Sequence, residues 1–203
     1  MPEPADAIIR QYITLKLADA AEHVEVLADG SFAFSDADVW LRVYRQILET
    51  RGITKYWSIA WVKSADYWQN EFGRQCIAAD FEAIEQNTLL QRLVILSDDV
   101  WPASVHLPRE PIRQWLEDQN NVGVWLGLIR ESALAGQPDL PIDVGIFGEG
   151  IVATQEFDHQ CQSLCFVLSF DAVRARKLKI IWNRLKSQVV SYWTLLDQLE
   201  TKE

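Results

Sequence analysis

Three apolar runs limit the architectures open to this chain. KYWSIAWV (Lys55 to Val62), LLQRLVILS (Leu89 to Ser97) and VGVWLGLI (from Val122) are rich in the β-branched and aromatic residues that suit a pleated, buried surface. Segments of helical spacing separate them. Over 65–86, Tyr67, Trp68, Phe72, Cys76, Ala79 and Ile84 line one side. Pro111, well suited to a first helical turn, opens the other, which runs to about Gln119. Strands joined through helices pair in parallel, so the centre of the fold is expected to be a parallel sheet.

The flanks modify that centre. HVEVLADGSFAFS alternates around the turn dipeptide Asp29-Gly30 and predicts a hairpin. Ser35 is the expected N-cap of a helix that carries Val39, Trp40, Val43, Tyr44 and Ile47 and stops at Gly52. Before the hairpin, Pro4 to Glu22 has helical spacing. After the third apolar run comes a loop, ALAGQPDLP, then PIDVGIFGEGIVATQEF, two short strands about Gly148 to Gly150, then the strand SLCFVLSF. From Asp171 to Glu200, Leu178, Ile181, Trp182, Leu185, Val189, Tyr192, Leu196 and Leu199 recur in steps of three or four. One continuous helix there would be roughly 45 Å long. Consecutive late strands imply antiparallel additions to the sheet. The expectation is one α/β domain over 1–203, a mixed sheet with helices on both faces. It comprises an N-terminal helix within 1–23, the sheet and its crossover helices over 24–170, and a long C-terminal helix over 171–203.

Composition narrows the function classes. The net charge is -10, which argues against general binding to nucleic acid or anionic membrane. No apolar run reaches the roughly 20 residues that span a bilayer, and MPEPADAIIR lacks a signal-peptide pattern, so a cytoplasmic protein is expected. Three cysteines, an odd number, fit free thiols in a reducing compartment. Nine tryptophans stand out, because large aromatics dominate cores and binding surfaces. No Gly-rich loop of the dinucleotide or P-loop type precedes a helix, and no cofactor is expected.

The order ending in strand, turn, strand and helix resembles one half of the phospholipase D superfamily fold, over most of Ser35 to Leu185. LQRLVILSDD resembles that fold's second strand, with an arginine, apolar residues and an acid. PIDVGIFGEGIVATQEF resembles the hairpin that bears the family signature, a histidine, one residue, a lysine, four residues and an aspartate. Laid on the acidic turn, the signature puts its aspartate at Glu149, its lysine at Val144 and its histidine at Ile142. In that family the histidine attacks phosphorus and the lysine holds phosphate oxygens, which Ile and Val cannot do. The glycine-serine and asparagine positions fall near Gln155 to Asp158 and do not match. A slip of one residue does not help, because no histidine or lysine lies between His106 and His159. The resemblance therefore implies a noncatalytic relative, similar to the C-terminal sensor domains of TrmB-type sugar regulators, that binds a small molecule or a partner. The two halves of such enzymes come together to make a site, which implies a homodimer here. Too few residues precede the first strand for a DNA-reading winged helix.

Ligand clefts in parallel sheets form beyond the carboxyl ends of strands. That places Trp57, Trp61, Lys63, Ser64 and Trp68 around the end of the first central strand, with Asp98 and Asp99 ending the next strand at the same edge and Glu149 in the hairpin turn. An alternative reading makes Asp98, Asp99 and Glu149 the metal or acid-base groups of an enzyme of another type. His159, Cys161 and Cys165 would share one face of an extended segment and form a soft-metal set, against the plainer reading of a loop histidine and two small sheet residues. Arg174, Arg176, Lys177, Lys179, Arg184 and Lys186, drawn from the chain's 19 basic residues, crowd the start of the last helix. They suit either an acidic partner or the protein's own excess of carboxylates. Arg174, Lys177, Trp182, Val189 and Trp193 are the candidate partner-binding residues. The expected function is thus that of a regulatory or adaptor protein that acts by binding another protein or a small molecule.

Overall fold

The structure, a computed structural model, describes residues 24–50, 52–137, 140, 143–157 and 163–200. The helix expected over Pro4 to Glu22 lies outside them, as do His159 and Cys161. One nine-stranded sheet runs through the described chain, in the order β1-β2-β8-β7-β6-β3-β4-β5-β9. Its strands are β1 Val24–Val26, β2 Phe32–Phe34, β3 Lys55–Val62, β4 Leu89–Leu96, β5 Trp125–Arg130, β6 Val144–Phe147, β7 Ile151–Phe157, β8 Ser163–Ser169 and β9 Val190–Ser191. The expected parallel centre is there: β3 pairs in parallel with β4, and β4 with β5. The late strands add antiparallel, β6 on β3, β7 on β6 and β8 on β7. The fold is mixed α/β.

Helix α1 is Ala37–Glu49 and α2 is Glu71–Glu85. Asp36, one residue past the expected Ser35, caps α1: its carboxylate accepts from the amides of Asp38 (2.8 Å) and Val39 (2.9 Å). Replacing Asp36 by Ala leaves both donors without that acceptor and is expected to cost about 1 kcal/mol, read as a shift in the urea midpoint. Helix α2 starts six residues later than its apolar pattern suggests. Trp68 takes a left-handed backbone (φ 64°), which ends any helical run through the turns at 64–69, and the Asn70 side-chain oxygen Oδ1 then caps α2 by accepting from the Gly73 amide at 2.7 Å. Gly73 is required there, because a Cβ at that position would lie 2.7 Å from the Trp68 Cα. Helix α3 is Ile112–Asn121.

The C-terminal segment is helical but not continuous. Helix α4 (Ala172–Lys186) ends at Ser187, two-residue β9 pairs antiparallel with β5, and α5 (Tyr192–Glu200) follows. Three local features make the break. The β-branched pair Val189 and Val190 favours extended backbone. Gly127 opposite leaves room for Val189, whose Cγ2 would lie 2.7 Å from a Cβ there. The Ser191 hydroxyl accepts from the Thr194 amide at 3.1 Å and starts the new helix. The break carries the chain from one face of the sheet to the other. Trp182 and Leu185 of α4 pack on Ile59, Leu93, Ile95 and Ile129, while Tyr192 and Leu195 of α5 join the larger core on the opposite face, with α1, α2 and Leu116 of α3. The repeating stripe from Leu178 to Leu196 is thus two short stripes that pack on opposite faces of the sheet, while Leu199 stays exposed.

Candidate functional site

Side chains alternate across a strand. Tyr56, Ser58, Ala60 and Val62 of β3 therefore face α1 and α2, whereas Trp57, Ile59 and Trp61 face α4. This separates residues that the sequence suggests as one aromatic cluster: Trp57 and Trp61 lie under α4, while Trp68 lies on the other side of the sheet. Lys179 sits over the Trp57 ring at 4.4 Å and pairs with Glu149 at 2.7 Å. Lys63 lies over Trp61 at 4.8 Å.

Glu149 is at the wrong end of the sheet for the expected cleft. Strand β6 runs antiparallel to β3, with Phe147 opposite Tyr56, so the turn after β6 returns to the start of β3. Lys63, Ser64, Asp98 and Asp99 sit at the other end, where β3 and β4 finish, about 23 Å away at the rise of an eight-residue strand. Asp98, Asp99 and Glu149 cannot share an ion or a substrate. Asp98 accepts from the Ser132 hydroxyl at 2.8 Å, and the Asp99 carbonyl accepts from Arg109 at 3.3 Å. No cluster of His, Cys, Asp or Glu among the described residues has the arrangement of a metal site. Cys165 lies 3.6 Å from the Glu156 carboxylate.

What the fold does build is a cavity of about 70 Å³ between the sheet and helices α1 and α2. That is room for roughly five water molecules, or an organic molecule of similar bulk. Its walls are aromatic: Trp40 and Tyr44 from α1, Tyr56 from β3, Trp68 from the turn before α2, Phe72 from α2, Phe147 from β6 and Phe166 from β8. Several of these rings stack, Tyr56 on Phe147 with centroids 4.4 Å apart and Trp40 on Phe166 at 5.2 Å. Gly145 lies beneath them because a Cβ there would press on Phe147 and Tyr56 at 3.1 Å.

A polar network forms the floor. Arg92 of β4 and Asp80 of α2 pair at 2.6 Å, with side chains only 5% and 2% exposed. Arg92 spends each of its nitrogens: Nε donates to the Ser58 hydroxyl at 2.9 Å, Nη2 to Asp80, and Nη1 to the Gln119 carbonyl of α3. The Tyr44 hydroxyl donates to the other Asp80 oxygen. Burial raises the Asp80 carboxyl, against the pull of Arg92 and Tyr44. Burial works against the Arg92 charge, but Asp80 outweighs it and the guanidinium stays protonated. The Tyr56 phenol is pushed up to about 12, by burial and then by Asp80, and the Cys76 thiol is pushed up to about 12 by the same causes. Cys76 is therefore a neutral thiol, poor as a nucleophile.

At the edge of the cavity stands Asp143, which pattern reading passed over. It sits just before β6 in a left-handed conformation, φ 44°, that aspartate tolerates better than most residues. One carboxylate oxygen accepts from the Trp61 amide (3.1 Å) and from the Tyr67 hydroxyl (2.6 Å). Burial outweighs both hydrogen bonds and lifts its pKa to about 6. Of the three left-handed non-glycine residues among those described, Trp68, Asn87 and Asp143, two line this cavity. Backbone strain of this kind concentrates where a fold positions functional groups.

The basic and aromatic residues proposed for a partner divide in the same way. Trp182 is buried and Val189 packs against its cluster, so neither is free to meet another protein, whereas Lys177 is exposed, Arg174 is partly so, and Trp193 is 58% exposed. Among the described residues, no helix is long and apolar enough to cross a membrane.

No family model and no curated protein matches the sequence. Solved structures do match. NucT from Helicobacter pylori is similar over 80% of this chain and 98% of its own, at 12% identity and a TM-score of 0.50. Nuc, a phospholipase D family member from Salmonella typhimurium, is similar over 74% of this chain and 89% of its own, at 14% identity and a TM-score of 0.49. TrmBL2, an archaeal chromatin protein whose structure shows a mode of DNA binding, is similar over 89% of this chain, at 10% identity and a TM-score of 0.45, and this chain spans 61% of it. The protein is of the α/β class with a phospholipase D-like fold. At these identities the likeness is one of fold.

Proposed function

We propose that the protein is a noncatalytic regulatory or adaptor protein on a phospholipase D-like scaffold, acting through a small ligand held in the aromatic cavity. One observation carries this reading: Asp143, Val144, Gly145 and Phe147 of the hairpin line the cavity and Ile146 packs on the other face, so neither face of this strand offers a histidine or a lysine. A phosphoenzyme reaction at this hairpin has no nucleophile. The thiol in the cavity wall, Cys76, is protonated at neutral pH. Binding needs none of these groups, only walls, size and charge.

The test has two parts. With bis(p-nitrophenyl) phosphate the purified protein is expected to release nitrophenol no faster than buffer does, and native mass spectrometry of gently purified protein is expected to show a retained small molecule. Saturable turnover at that substrate would refute the noncatalytic reading. A second mode of action, self-association, is favoured by Trp193, an exposed tryptophan on α5 beside the buried Tyr192. Sedimentation is expected to show a dimer that Trp193→Ala converts to monomer, with the stability of the monomer changed by less than about 0.5 kcal/mol. A wild-type monomer at tens of micromolar would dispose of it.

A further inference from the structure

We propose that the ligand of the cavity is a small organic ammonium ion, held by aromatic faces and by the Asp143 carboxylate. The inference rests on the reading of the cavity as a ligand site and adds the chemical class. It follows from a charge account of the lining. Arg92 and Asp80 cancel each other at 2.6 Å. Three of the five N–H groups of Arg92 donate, to Ser58, Gln119 and Asp80, and the guanidinium charge is already matched by the Asp80 carboxylate. Asp143 is the remaining charged group of the lining. Its hydrogen bonds to the Trp61 amide and the Tyr67 hydroxyl both go to one oxygen, and both come from uncharged donors. A carboxylate in such a place is best completed by a cation that brings its own positive charge.

The walls agree with the floor. Aromatic faces attract cations through the ring quadrupole, and several rings around one small space are the arrangement that recognises alkylammonium groups. An anion would meet the negative faces of the same rings beside an unneutralised carboxylate. The Trp68 ring belongs to the same lining, and its indole N–H is buried with no hydrogen-bond partner. The 70 Å³ volume suits an ammonium group with a few non-hydrogen atoms around it.

Trimethylammonium chloride and tert-butanol make a suitable pair of probes, because they match closely in shape and differ in charge. Each is titrated into the ¹⁵N-labelled protein at pH 7.5, with the tryptophan indole signals and calorimetry as readouts and with sodium chloride and sodium phosphate as controls. Trimethylammonium is expected to bind saturably, to shift the Trp68 indole signal, and to bind at least tenfold more tightly than tert-butanol. In Asp143→Asn, checked for folding by circular dichroism, the two affinities are expected to converge. The wild-type comparison stands by itself should that variant fail to fold. Equal or tighter binding of tert-butanol, or of phosphate, would overturn the ammonium assignment and leave the cavity as a ligand site of another class. No saturable binding by any probe overturns the assignment too. If native mass spectrometry then shows no retained molecule, the binding reading falls with it.

Discussion

Replacing Arg92 by methionine is expected to destabilise the protein by about 3–5 kcal/mol, the usual cost of stranding one partner of a buried ion pair. The loss is not that of a favourable salt bridge alone. Asp80 is 1% exposed and would keep only the Tyr44 hydroxyl as a partner, while Ser58 and Gln119 would lose the donor that satisfies them. An unpaired carboxylate at that depth either stays charged at great cost or takes up a proton. The double variant Arg92→Met, Asp80→Leu removes both charges and fills the space with apolar atoms, so most of the loss is expected to be recovered. Urea midpoints of the two variants check this. Equal destabilisation in the single and the double variant would mean that shape, and not charge pairing, sets the cost.

The second large effect depends on pH. Asp143 has a pKa of about 6 in the folded protein against 3.8 for an ordinary aspartate. Below about pH 4 the proton is on in both the folded and the unfolded chain. As pH rises through 4 to 6 the unfolded chain gives its proton up first, the folded chain holds more protons, and stability falls. Above about pH 6 the loss is complete, about 3 kcal/mol for a shift of this size. Asparagine keeps a carbonyl for the Trp61 amide and the Tyr67 hydroxyl but has no proton to lose. Asp143→Asn is therefore expected to gain up to about 3 kcal/mol on the wild type between pH 4 and pH 7.5, measured as the difference in urea midpoints at the two pH values. Parallel midpoints would show that Asp143 is not held in a desolvated state. Stabilisation that coincides with loss of ammonium binding would mark the residue as one kept for its ligand at the expense of the fold.

Much of the fold was legible because its signals are local and periodic. The runs KYWSIAWV and LLQRLVIL stand in the sheet as read, and the stripe of Val39, Trp40, Val43, Tyr44 and Ile47 is buried as read. The C-terminal break was hidden because Leu185, Val189 and Tyr192 keep helical spacing across it, and only the pairing of β9 with β5 shows that the stripe changes sides. The site was harder to read, for a different reason. Strand alternation alone would have parted Trp57 and Trp61 from Ser58 and Ala60, but which set faces a cavity depends on how α1 and α2 cover the sheet. Glu149 was misplaced because the direction of β6 is a tertiary fact. The same reversal brings Asp143, a lone acid in a loop, against Trp61. Arg92 stands in the sequence only as a mark of a strand; its partner Asp80 lies on a helix, and no spacing rule links them.

The sheet order also fixes when the chain can close. Phe34 of β2 pairs with Phe166 of β8, and Ser191 of β9 pairs with Gly127 of β5. Seen during synthesis, β3, β4 and β5 can pair as soon as they emerge and Tyr44 of α1 can already meet Tyr56 and Asp80, but the first hairpin has no seat in the sheet until β8 exists. Trp40 and Tyr44, made early, then wait for Phe147 and Phe166, made late, before the cavity wall is complete. Both margins of the sheet thus wait for β8 and β9, so a ribosome-bound chain halted before residue 163 would carry the central strands and a cavity without its Phe166 wall.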